Sequence, residues 1–389
     1  MNGSLLLTGG RLVTADDDVA DAWLEIADGR VRAVGRGRAP LRDGVPAVDA
    51  QGLLIVPGLV DAHQHGGGGG SYDGRPTDVA EVVHFHRMHG TTTSMASLVS
   101  APLDVLEAQL AGLAPLVRSG LLAGIHLEGP WLSPRRAGAH SPTALRLPDP
   151  ADIGRLLDAG EGAVRMVTLA PELTGGLAAV AQLADAGVVV AVGHTDATYE
   201  QTREALRRGA RAGTHLFNAM RPVQHREPGP VVALLESSAA VELIADGVHL
   251  HPAVLAASAR ALGPERTLLV TDAMAGAGMP DGSYSLGDRE VTVADGVARK
   301  ADGTIAGSTA TLADALRFAV TVAGLPLQAA VAAATSVPAA LLGLDGVGSL
   351  QPGARADVTL LSADLRPAGV LFRGHWARSL PARGGRAAR

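Results

Sequence analysis

Eight short apolar runs set the rhythm of this chain and restrict what it can fold into. They fall at residues 59–62, 92–96, 122–127, 164–169, 188–192, 212–214, 241–244 and 267–271, and amphipathic stretches separate them. Apolar runs this short suit strands buried on both faces, and a helix between strands is what returns the chain for parallel pairing. Eight βα units close into a barrel, so the expected fold class is α/β, a TIM-like (β/α)8 barrel spanning 57–347. Helices fit between the strands, for example at 79–89, 103–119, 177–186, 199–208 and 252–262, with Thr198 as the N-cap of the fourth.

The ends of the chain read differently. From Leu5 to Val56 apolar and polar residues alternate between turn signals at Gly9-Gly10, Asp28-Gly29 and Asp43-Gly44, and strand-like stretches return after Gly348. A small β-sandwich domain built from both ends, 1–56 and 348–380, is therefore expected. Within the barrel, glycines 282, 287, 296 and 303 surround an alternating stretch, which predicts a β-hairpin insertion at about 281–307 before helix resumes from Thr311 to Leu342. The arginine-rich end, 381–389, is expected to be disordered.

Several apolar runs end on a residue that carries chemistry. Leu59-Val60-Asp61-Ala62 leads into His63-Gln64-His65, Ile125-His126-Leu127 into Glu128, Val192-Gly193 into His194, Gly213-Thr214 into His215, and Val270-Thr271 into Asp272. In a parallel barrel all these ends open on one face, where such folds place their active sites. His63 and His65 alternate, so both imidazoles project to one side. Imidazole and carboxylate together suit a borderline divalent cation such as Zn²⁺, so these six positions are read as converging on one or two ions. Asp272 is the candidate general base and acid. The histidines at 84, 86 and 89 fall on a predicted helix and are read as a solvated face, while His225, His251 and His375 have no supporting pattern.

Composition narrows the chemistry further. The 389 residues are 47% hydrophobic, enough for a large core, and a net charge of −6 does not describe a nucleic-acid surface. No apolar run approaches the roughly 18 residues needed to span a bilayer, so a cytoplasmic enzyme is expected. There is no cysteine, which removes disulfides and thiolate ligands, and Lys300 is the only lysine. A carboxylate bridging two ions would have to be an ordinary Asp or Glu.

Seven ordered motifs sharpen the picture: His126-Leu-Glu128-Gly-Pro-Trp131, Gly193-His194-Thr-Asp-Ala-Thr198, Thr214-His215-Leu-Phe-Asn218-Ala219-Met220, Arg226-Glu227-Pro228-Gly229, Asp246-Gly-Val-His249, Thr271-Asp272-Ala273 and Ala306-Gly307-Ser308. In these the chain resembles the N-acetylglucosamine-6-phosphate deacetylases of the amidohydrolase superfamily. The resemblance implies metal-dependent deacetylation of N-acetyl-D-glucosamine 6-phosphate in amino-sugar catabolism. Glu128, His194 and His215 would hold the principal metal, and Asp272 would be the acid/base. His140 would help polarise the acetyl carbonyl. Asn218, Ala219, Arg226 and His249 would hold the sugar and its phosphate, with Arg226 reaching in from the other subunit of a homodimer. His63 and His65 imply a second metal position with Glu128 bridging. Two alternatives stay within reach: a galactosamine-epimer deacetylase or other metal-dependent amidohydrolase on the same barrel, and a non-catalytic relative. The neutral heterocycle of a deaminase or cyclic-amide hydrolase needs no phosphate clamp, and a non-catalytic relative should have lost ligands that are all present here.

Overall fold

The computed structural model describes residues 4–74 and 76–381. All but the first residue of the stretch 381–389 lies outside that range. Eight parallel strands, Leu59–Asp61, Thr91–Val99, Gly124–Glu128, Val164–Leu169, Val189–Val192, Ala210–Gly213, Ala240–Ile244 and Thr267–Val270, pair in sequence order. The first and last strands share no continuous ladder. Their seam is closed by Thr271 Oγ1 donating to Asp61 Oδ2 at 2.7 Å, Asp272 N donating to His63 O at 2.9 Å, and an isolated bridge between Gln64 and Ala273. The barrel is thus nearly closed, and the seam is tied beside the residues predicted to carry chemistry.

Strand alternation decides which side chains meet. Val241 and Leu243 join the large apolar layer between strands and helices, whereas Ile244 packs inside the barrel with Ala62, Met95, Met166, Ala191 and Leu268. A fully buried Leu or Val contributes roughly 1.5 to 3 kcal/mol, so the two layers together fix the strand register. The predicted helices form at Pro76–Met88, Leu103–Arg118, Gly176–Asp185, Tyr199–Arg207 and Pro252–Leu262. Thr198 caps the fourth through a reciprocal capping box with Gln201.

Some elements differ from expectation. Pro150–Ala159 and Gly229–Glu236 are helical too, the former capped by Asp149 with Pro150 in its first turn. The stretch from Thr311 to Leu342 breaks into three helices, Leu312–Thr321, Leu327–Ala333 and Ser336–Leu341. The insertion has three strands, Gly282–Leu286, Arg289–Ala294 and Val297–Arg299, where a hairpin was expected. The third strand exists because Asp295 and Gly296, at φ +51° and +72°, form a two-residue turn between paired Ala294 and Val297. Positive φ at both central residues is what a tight hairpin turn requires.

The chain ends do combine. Leu5–Val13, Asp18–Ala27, Arg30–Arg36, Ala47–Asp49 and Leu54–Pro57 join Val358–Leu361, Pro367–Phe372 and His375–Arg378 in one mixed sheet, the two parts meeting where Leu54–Pro57 runs antiparallel to Val358–Leu361. A bridge between Arg30 and Arg355, with Val31 N donating to Ala354 O at 2.9 Å, links its far flank back to the C-terminal part. Leu7, Leu24, Ile26, Ile55, Val358 and Leu371 fill its separate core.

Candidate metal centre and active site

Each predicted ligand lies at or just past the end of a barrel strand. Glu128 ends its own strand, while His63, His65, His194, His215 and Asp272 follow theirs within a few residues. His194, His215 and Asp272 adopt φ of +45°, +29° and +49°. That region is unfavourable for residues with a Cβ, and such backbone strain concentrates at functional sites.

The six side chains converge. Glu128 Oε1 lies 3.1 Å from His194 Nε2, 3.0 Å from His215 Nε2 and 3.6 Å from His63 Nε2, while Oε2 lies 3.2 Å from His65 Nε2. Asp272 Oδ1 is 3.4 Å from His63 Nε2 and 3.2 Å from His65 Nε2. All six residues are buried, Asp272 being the most accessible at 8%. The carboxylate of Glu128 therefore stands between a His63/His65 pair and a His194/His215 pair.

Hydrogen bonds on the far side of three of the rings set their tautomers, while His215 Nδ1 has no partner among the described residues. His63 Nδ1 donates to Glu242 Oε2 at 2.9 Å, His65 Nδ1 to Ser97 O at 3.1 Å and His194 Nδ1 to Arg136 O at 2.8 Å. With their Nδ1 protons committed, these neutral rings present Nε2 lone pairs inward. Yet His63 and His65 Nε2 approach to 3.2 Å, and His194 and His215 Nε2 to 3.0 Å. Ring nitrogens crowded this closely around two carboxylates make a donor set that a divalent metal would satisfy, so the residues present fit such an ion. His140 is built the opposite way: its Nδ1 accepts the Ser100 N–H at 3.1 Å, leaving Nε2 as a donor, 3.2 Å from Glu128 Oε2.

The electrostatics agree. Burial would raise the pKa of Glu128 and Asp272, but the surrounding imidazoles hold both well below the ordinary carboxylate range. Burial lowers His65, and Asp272 and Glu128 outweigh it, pushing it up to about 9; His63 is raised against burial by Glu242, Glu128 and Asp272, and His215 by Glu128 and Asp272. Burial beside His140 takes His194 down to about 4. The carboxylates draw positive charge into a dry site, and a bound cation meets that demand without protonating the rings.

A cavity of about 210 Å³ opens over these groups, lined among others by Val99, His140, Asn218, Ala219, His249 and Leu286. His249 Nδ1 is 2.6 Å from Asp246 Oδ2. The inserted sheet roofs this cavity and braces its wall: Lys300 Nζ donates to Gly138 O at 3.1 Å and Arg289 to Ser141 Oγ at 3.0 Å, on either side of His140. A larger depression of about 410 Å³, at the opposite ends of the strands near Arg165, Arg211 and Leu342, contains neither histidine nor carboxylate. Arg226 is not in the cavity of this single chain; it stands in the exposed loop 222–227.

Other histidines take structural places. His84 is exposed, but His86 is fully buried, contrary to a solvated face, because its Nε2 donates to Gly66 O at 2.9 Å. Gly67 must lack a side chain there, since a Cβ would come within 2.6 Å of that ring nitrogen. His251 caps the helix Pro252–Leu262. Sequence reasoning passed over the polar belt below the site. Ser97 Oγ, His126, Thr168 and Thr214 are linked in series at 2.9, 2.8 and 2.7 Å, and Glu242, fully buried, bonds His63 and the backbone of His215. The signal available was polar residues inside otherwise apolar strands, as in Val241-Glu242-Leu243.

A parallel barrel with imidazoles and carboxylates converging at its C-terminal mouth defines a metal-dependent hydrolase. The sequence model of the Amidohydrolase family matches residues 54–377. The chain is 38% identical over 379 residues to an N-acetylgalactosamine-6-phosphate deacetylase of Escherichia coli, covering 96% of this chain and 99% of that one. It is 33% identical over 374 residues to an N-acetylglucosamine-6-phosphate deacetylase of Lysinibacillus sphaericus, covering 93% and 95%. Among solved structures, a mutant N-acetyl-D-glucosamine-6-phosphate deacetylase of Mycobacterium smegmatis in complex with N-acetyl-D-glucosamine-6-phosphate superposes with a TM-score of 0.93 at 51% identity, covering 97% of this chain and all of that one. The Thermotoga maritima deacetylase superposes with a TM-score of 0.87 at 30% identity, covering 96% and 100%. The chain belongs to the N-acetylglucosamine-6-phosphate deacetylase family of the amidohydrolase superfamily.

Proposed function

We propose that this chain hydrolyses the acetamide of N-acetyl-D-glucosamine 6-phosphate, giving D-glucosamine 6-phosphate and acetate. The reading rests above all on the donor set around Glu128, four imidazole Nε2 atoms and a second carboxylate beneath a cavity, in a chain that shares 51% identity with a structure bound to that sugar phosphate. Glu128, His194 and His215 would hold a principal cation, most simply Zn²⁺, and His63 and His65 a second with Glu128 bridging. When bound, such an ion supplies Lewis acidity toward the amide carbonyl and toward the attacking water.

The chain supplies the remaining chemistry. Asp272, held ionised by its neighbours, takes a proton from the attacking water and returns it to the leaving amine. His140, with its proton on Nε2, donates to the carbonyl oxygen as negative charge develops there. Asn218, Ala219 and His249 grip the sugar from the cavity wall. Arg226, exposed in the single chain, reaches the phosphate of the other subunit in a homodimer, where a guanidinium pairs phosphate bidentately. Binding energy from that remote phosphate positions the amide.

Acetate release from N-acetylglucosamine 6-phosphate, its galactosamine epimer and unphosphorylated N-acetylglucosamine tests the reading. The epimer is included because the Escherichia coli relative is a galactosamine-6-phosphate deacetylase. Arg226→Ala should lower kcat/KM on the phosphorylated sugar more than tenfold, the worth of roughly 1.5 to 3 kcal/mol for a charge-assisted bond. Equal activity on phosphorylated and free sugars would overturn the phosphate assignment, and faster turnover of the epimer would move the substrate to the galactosamine series.

A further inference from the structure

Glu242 sits mid-strand in Ala240–Ile244, is fully buried, and takes no part in the chemistry above. Its Oε2 accepts the Nδ1–H of His63 at 2.9 Å and the backbone N–H of His215 at 3.1 Å, while Oε1 has no hydrogen-bond partner among the described residues. One oxygen therefore touches a ligand residue of each cation position: His63 of the pair with His65, and His215 of the set with Glu128 and His194.

A carboxylate in a dry interior is costly, and orienting an imidazole does not require one. His65 and His194 are oriented by the neutral backbone carbonyls of Ser97 and Arg136. At His63 the chain uses a carboxyl side chain instead. The charge count explains the difference. Two divalent ions, when bound, would bring four positive charges within reach of Glu128 and Asp272, which would supply two negative ones. Glu242 lies behind His63 and adds a third. A carboxylate behind an imidazole also raises the basicity of the opposite nitrogen, strengthening it as a ligand.

Building on the metal reading above, we propose that Glu242 is a positioning residue for the second cation: it fixes the His63 tautomer and supplies the charge that allows the His63/His65 position to fill once the Glu128/His194/His215 position is occupied. The first cation depends on it weakly, since the Glu242 side chain meets that ligand set through the backbone N–H of His215 and not through a ligand ring.

The test is titration of metal-free full-length protein with Zn²⁺ alone, read as stoichiometry and affinity by chelator competition and elemental analysis. The parent should bind two ions per chain. Glu242→Gln keeps the shape and an acceptor oxygen but removes the charge; it should weaken the second ion by about 10- to 100-fold, the range for loss of such an outer partner, and the first by less than threefold. In a His63→Asn background, Glu242→Gln should change the remaining ion's affinity by less than threefold, as it does in the parent. A purely structural carboxylate would instead weaken both ions alike or lower the unfolding midpoint alone, and either result overturns the proposal. Two ions of unchanged affinity in Glu242→Gln overturn it as well, leaving the metal reading intact, whereas fewer than two ions in the parent defeat the second position itself. ¹⁵N NMR of the parent's histidines provides a check independent of any variant: His63 should carry its proton on Nδ1, and a proton on Nε2 refutes the proposal.

Discussion

Replacing His140 by alanine separates two roles that its position allows. Glu128, His140 and His194 bring ligand atoms close enough together to hold one ion, so proximity alone would make His140 a metal ligand. Its hydrogen bonding opposes this. The Ser100 N–H occupies Nδ1 at 3.1 Å, so the proton resides on Nε2, and a protonated nitrogen has no lone pair for a metal. His140 should therefore act as a hydrogen-bond donor to the carbonyl oxygen in the transition state. Loss of one such donor costs about 2.7 to 4 kcal/mol, or roughly 10²- to 10³-fold in kcat, with KM changed much less. The ring also packs edge-on against His194 at 4.5 Å between centroids, so a modest loss of stability should accompany the change. The assay is acetate release from N-acetylglucosamine 6-phosphate at saturation in metal-replete buffer, with metal content measured on the same sample. His140→Gln, which can return an N–H donor to the same side of the cavity, should recover part of the loss. A His140→Ala variant within tenfold of the parent, or one that has lost metal in proportion to activity, would refute the argument from tautomers.

Two further outcomes follow from the same geometry. Asp272→Asn should keep fold and metal but lose about two to four orders of magnitude in kcat, as expected for removal of a general acid/base; activity within tenfold of the parent would take Asp272 out of the mechanism. Asp246 concerns acid stability: burial would raise its pKa, but the hydrogen bonds from His249 and from the backbone of Val248 and His249 outweigh burial and depress it. A depressed carboxylate contributes stability that is present above its unfolded pKa of about 3.9 and is lost as pH falls through the folded value. Asp246→Asn should therefore flatten the acid limb of a stability-against-pH curve below about pH 4 and cost roughly 1.5 to 3 kcal/mol at neutral pH, measured by urea unfolding. An unchanged acid limb would show that Asp246 gains nothing from its contacts with His249.

Much of the molecule was legible in the chain itself because the physics involved is local. Strand and helix periods, the Thr198 cap, and a His, Glu or Asp at the end of a buried run all depend on neighbours a few residues away, so the barrel and the imidazoles and carboxylates that converge at its mouth are legible in the sequence. The third strand of the insertion was equally local and was passed over: Asp295-Gly296 is a tight-turn signal in plain view. Other features had no local signature. His86 shares a helix with exposed His84, and only the arrival of the Gly66–Gly67 backbone decides which of the two is buried. The tautomers that make His63, His65 and His194 acceptors and His140 a donor are set by partners distant in sequence, as with the 40 residues between Ser100 and His140. Sequence determined which chemical groups stand at the mouth of the barrel. Tertiary structure decided the proton and charge each group carries, because in a dry interior those depend on what lies within about 3 Å across the fold, and chain order does not encode that distance.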